Sequence, residues 1–82
     1  MTPATQTIAT ELNLDLGGIA KQLIEKDKFF KVCDGFVAEG GKIEPLAFCV
    51  YLRKHGFPMV AKAICQFYIN TNPGALSTLL AA

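Results

Sequence analysis

The sequence has no tryptophan, only one histidine, and no acidic residue after Glu44. It contains no Gly-x-Ser-x-Gly elbow, no phosphate-binding Gly-Lys loop and no dinucleotide fingerprint. Acyl transfer, nucleotide hydrolysis and nicotinamide chemistry therefore lose the residues that usually carry them. Long apolar runs are missing as well. The densest, 46–52, is far below the ~18 residues of a membrane span, so no membrane association is expected. The first twelve residues hold no Lys or Arg and no long apolar stretch. No secretory leader is expected from them. The three cysteines are an odd number, and without a leader they read as free thiols in a reducing, cytoplasmic setting.

The chain does carry apolar side chains in quantity. Of its 82 residues, 51% are hydrophobic and 18% charged, against roughly 25% charged in an average domain. One domain, 1–82, is expected, with 1–14 as a loosely packed arm or a short helix. So small a domain hides only about 60% of the surface its unfolded chain exposes. The apolar surplus points either to self-association or a partner surface, or to a well-filled core. The net charge of +1 gives no global field toward nucleic acid or membrane.

Apolar spacing and punctuation predict an all-α bundle of about five helices. Thr2 and Pro3 suit the start of a first helix that Asn13 ends. Asp15 suits the cap of a second, with Leu16, Ile19, Ala20, Leu23 and Ile24 on one face. Phe29, Phe30, Val32, Cys33, Phe36 and Val37 repeat the pattern. Either two helices or one bent helix over 15–39 fits, and Gly40–Gly41 closes the segment in the manner of a left-handed cap. Pro45 opens a helix that ends at Gly56. Being apolar on every side over 46–52, it is predicted to be the central, most buried element. Pro58 opens the next, with Val60, Ala61, Ile64, Cys65, Phe67 and Tyr68 offered to the core. A short last helix carrying Leu76, Leu79 and Leu80 is predicted after Pro73. Cys33, Cys49 and Cys65 stand sixteen residues apart, each seven before a helix-ending residue, and are expected at equivalent depths in successive helices.

No site chemistry emerges from these residues. The cysteines and His55 lack the short ligand spacing that zinc sites use, and each cysteine has apolar neighbours, as a small buried hydrophobe would. The Gly41-Lys42-Ile43 and Gly74–Leu76 steps resemble the centres of paired EF-hand loops in spacing alone. The ligand positions of that register fall on Phe36, Ala38, Gly40 and Ala47, then on Ile69, Thr71, Pro73 and Leu80. None is a carboxylate, which excludes calcium binding of that type. No metal, no cofactor and no catalytic constellation are expected.

Two functional expectations follow. The first is a non-enzymatic protein-interaction or adaptor domain, self-associating or part of a larger assembly, with Phe57, Met59, Phe67, Tyr68 and Ile69 as candidate contacts because aromatics and Met are enriched in interfaces. The second is a small DNA-binding regulator. The stretch 45–69 has the outline of a helix-turn-helix, and Arg53, Lys54, His55 and Lys62 are candidate anion or nucleic-acid contacts. The start of its second helix, Pro58 to Lys62, supplies at most one polar reader of bases.

Overall fold

The computed structural model describes residues 2–75 and 77. These form five helices and no strand: α1 (Pro3–Leu12), α2 (Leu16–Gln22), α3 (Lys26–Ala38), α4 (Pro45–Lys54) and α5 (Pro58–Thr71). The all-α bundle expected from the spacing is what the chain adopts. The predicted last helix with Leu76, Leu79 and Leu80 lies outside the described residues.

The N-terminal segment is a packed helix rather than a loose arm. The backbone N–H of Thr5 donates to Thr2 Oγ1 at 3.2 Å, Pro3 sits in the first turn, and Asn13 closes the helix at φ 54°. Thr5, Ile8 and Leu12, at i, i+3 and i+7, are buried. One of the three members of this stripe is a threonine. Its hydroxyl lies 2.8 Å from that of Thr2, so burial leaves it satisfied.

The 15–39 segment is two helices. Asp15 caps α2 by accepting the Gly18 N–H at 3.0 Å. Leu23 then leaves the helical region at ψ 130°, and α3 begins at Lys26 with Asp27 in its first turn. The break turns Ile24 wholly into solvent, against the predicted apolar face. It also sets the register of α3, in which Phe29, Cys33 and Phe36 are buried while Phe30, Val32 and Val37 pack at the margin. Gly40 and Gly56 end α3 and α4 with φ of 71° and 93°. The Phe57 N–H reaches back to the Leu52 carbonyl at 2.9 Å, which satisfies one of the orphan carbonyls of a helix end.

The predicted role of α4 is overturned. It buries Phe48, Cys49 and Leu52, but Leu46 and Val50 are 49% and 46% exposed. The helix is not central. It pairs with α5 as a hairpin, and the first three helices cover one side of it. Aromatic rings form the seam between the two layers. Phe29 meets Phe57 edge-on at 5.9 Å, and Phe36 meets Phe48 at 5.3 Å and Tyr51 at 5.2 Å.

Candidate functional site

The hairpin presents a groove on the side that α1–α3 leave open. Pro45 pre-sets the first turn of α4, and helical periodicity then divides its apolar residues between two faces. Phe48, Cys49 and Leu52 take the inner face. Leu46, Val50 and Arg53, at i, i+4 and i+7, line the groove. On α5, Ile64 turns inward, while Met59, Lys62, Gln66 and Ile69 form the other wall and the buried Cys49 and Ala61 lie at the apolar floor between them. The depression holds about 530 Å³.

Three of the four large apolar side chains that are exposed among the described residues, Leu46, Val50 and Met59, lie in this one groove; Met59 is 75% exposed. Its polar margin is cationic, since Arg53 and Lys62 line it and Lys54 borders Val50 and Arg53 in the adjoining shallow depression. Among the described residues the only ion pair is Lys28 with Glu25, so none of the three cations pairs with a described carboxylate.

Cys49 binds the walls together: its thiol donates to the Ala61 carbonyl at 3.4 Å. Burial, and then the neighbouring Cys65, push the Cys49 thiol up to about 11. Burial likewise pushes Cys33 up to about 11; a hydrogen bond with Thr5 opposes it and the Asp34 charge adds to it. Both thiols are protonated near neutral pH, which makes them core packing rather than nucleophiles. Cys65 differs from them. It is half-buried and lines the groove, so the sixteen-residue spacing does not place the three cysteines at equal depth. Among the described residues no three His, Cys, Asp or Glu side chains converge as metal ligands would. No helix there is long and apolar enough to cross a membrane.

The candidate contacts separate. Met59 and Ile69 are in the groove, together with Arg53 and Lys62. Phe57 is not a surface residue; only 8% of it is exposed, because its ring fills the seam against Phe29. Phe67 and Tyr68 are half-buried against the core and line no wall of the groove. His55 stacks on Tyr51, ring centroids 4.1 Å apart at 27°, beside a separate depression shared with Glu25, Lys28 and Lys31. Leu46, Val50 and Cys65 went unnoticed as surface residues. The available signal was the all-round apolar character of α4, since a helix in so small a domain has neighbours on only some sides.

No known protein family, curated protein or solved structure matches this chain.

Proposed function

We propose that the chain is a non-enzymatic protein-binding domain whose contact surface is the α4–α5 groove. The observation that carries this reading is the gathering of Leu46, Val50 and Met59 in one depression while nearly every other large apolar side chain described is at least half-buried. Exposed apolar surface collected in one place and rimmed by polar groups marks an interaction site. The DNA-binding reading draws on the acid-free hairpin. It has less support, because Met59 and Val50 offer base edges no hydrogen bond where a reading helix would need one.

Site-specific photocrosslinking in the source cell tests the proposal. A photoreactive residue at position 50 is expected to yield a protein adduct, and one at Glu11, exposed on α1 and outside the groove lining, is not. Absence of any protein adduct from positions 46, 50 and 59 overturns the reading. Adducts to nucleic acid alone would replace it with the regulator.

A further inference from the structure

We infer that the occupant of the groove is an amphipathic helix from another protein, with an apolar stripe flanked by acidic residues. The inference rests on the reading of the groove as a protein-binding surface and names the chemistry of its partner. Length sets the first term. From Leu46 to Arg53 and from Pro58 to Ile69 the walls run for seven and eleven residue steps, about 10 and 16 Å at 1.5 Å per residue. A helix of roughly three turns lies along such a groove. Its i, i+3, i+4 and i+7 side chains would meet Leu46, Val50, Met59 and Ile69, the usual mode by which an apolar helix face seats between two helices.

Charge sets the second term. Arg53 and Lys62 line the groove and Lys54 stands beside it; none has a carboxylate partner among the described residues, and no acid occurs anywhere after Glu44. A helix with Glu or Asp on both sides of its stripe places opposite charges on this rim. A second copy seated face to face about a two-fold axis applies the same surface to itself. It would bring six cations together with no acid from either hairpin, so the charge pattern disfavours the self-contact. Duplex nucleic acid would satisfy the cations and leave the apolar floor uncovered.

The test uses two synthetic peptides with the same leucine stripe, one flanked by Glu and one by Lys, each labelled at one end. They are titrated with the reduced full chain and read by fluorescence anisotropy. The Glu-flanked peptide is expected to bind at least about tenfold more tightly, from two or three rim pairs changing sign. It is expected to weaken as salt rises from about 50 to 500 mM, and its binding should slow alkylation of the half-exposed Cys65. The double variant R53E/K62E should reverse the preference, and Val50→Glu should reduce binding of the Glu-flanked peptide by at least about tenfold. Circular dichroism establishes that each variant remains folded. Should one unfold, the alkylation of Cys65 in the native chain decides the site alone.

Equal affinity for the two peptides, preference for the Lys-flanked one, or no protection of Cys65 overturns the inference. So does displacement of the peptide by duplex DNA, or a stable homodimer by light scattering that excludes the peptide. If neither peptide binds but crosslinks at position 50 still form, the acidic-helix inference fails and the protein-binding reading stands. If both fail, the groove is not a contact surface.

Discussion

The first three helices and the α4–α5 hairpin place their apolar side chains in opposite ways. Residues 1–44 carry five lysines and seven acids, a net charge of −2, whereas residues 45–82 carry three cations and no acid, a net charge of +3. In α1–α3 the large apolar residues are buried or packed at the core margin, Ile24 in the α2–α3 break excepted. In the hairpin, one helix buries Phe48 and Leu52 completely and leaves Leu46 and Val50 about half exposed. Exposed apolar surface costs about 25 cal/mol for each Å² that folding fails to remove from water. The first region buries nearly all of its large apolar residues at least in part, and the second leaves Leu46, Val50 and Met59 exposed.

The largest expected effect breaks the seam that the two regions share. Phe29 is fully buried and its ring edge meets Phe57 of the hairpin. Phe29→Ala should cost about 3–5 kcal/mol, a large part of the ~5–15 kcal/mol that holds a domain together. Urea unfolding measures it. A loss below about 1 kcal/mol would mean that the two layers are not stabilised by this contact.

The next effect compares one buried thiol from each region. Cys33 belongs to α3 and Cys49 to α4, and both are raised from an ordinary 9.0 to about 11. Between these values the unfolded chain has released the thiol proton and the folded chain has kept it. Stability is therefore complete below about pH 9 and falls as pH rises toward 11, by roughly 2–3 kcal/mol for each thiol. Urea midpoints measured across that range should fall less steeply in Cys33→Ala and in Cys49→Ala than in the parent. An unchanged slope in either variant would show that its thiol is open to water.

These two regions were not equally legible in the sequence. Helix starts and stops are local events, and Thr2, Pro3, Asn13, Asp15, Gly40, Pro45, Gly56 and Pro58 announced them through side-chain caps, fixed φ or a tolerated positive φ. Which face of a helix is covered is a tertiary matter. For α3 the spacing offered Phe29, Phe30, Val32, Cys33, Phe36 and Val37 together, and the fold buries only Phe29, Cys33 and Phe36 of them. For α4 the spacing offered no choice, because Leu46, Phe48, Cys49, Val50 and Leu52 occupy every side. Maximal burial was the natural reading, yet the first three helices cover only one of those sides. Arg53 and Lys62 were found from charge alone, and Met59 and Ile69 from residue type. Their convergence on one groove depends on how α4 and α5 pair, which no local pattern encodes.

A smaller effect probes the turn that makes the hairpin. Gly56 stands at φ 93° with open space where a Cβ would lie. Gly56→Ala therefore meets no clash, and its cost is that of the backbone conformation, about 1–2 kcal/mol. Thermal unfolding checks it. A neutral result would indicate that the turn relaxes to negative φ, and the pairing of α4 with α5, and so the groove, should then loosen with it.

The smallest effect separates the two uses of apolar residues most sharply. Val50→Thr and Met59→Gln alter side chains that are 46% and 75% exposed, so they should change stability by no more than about 0.5 kcal/mol. Leu52→Ala, from the buried face of the same helix as Val50, should lose about 2–5 kcal/mol. If Val50→Thr or Met59→Gln instead lost more than about 1 kcal/mol by urea unfolding, the groove would be closed by the chain itself in solution and its apolar walls would belong to the core. A near-neutral result alongside a large loss at Leu52 means that the outer face of the hairpin contributes almost nothing to folding.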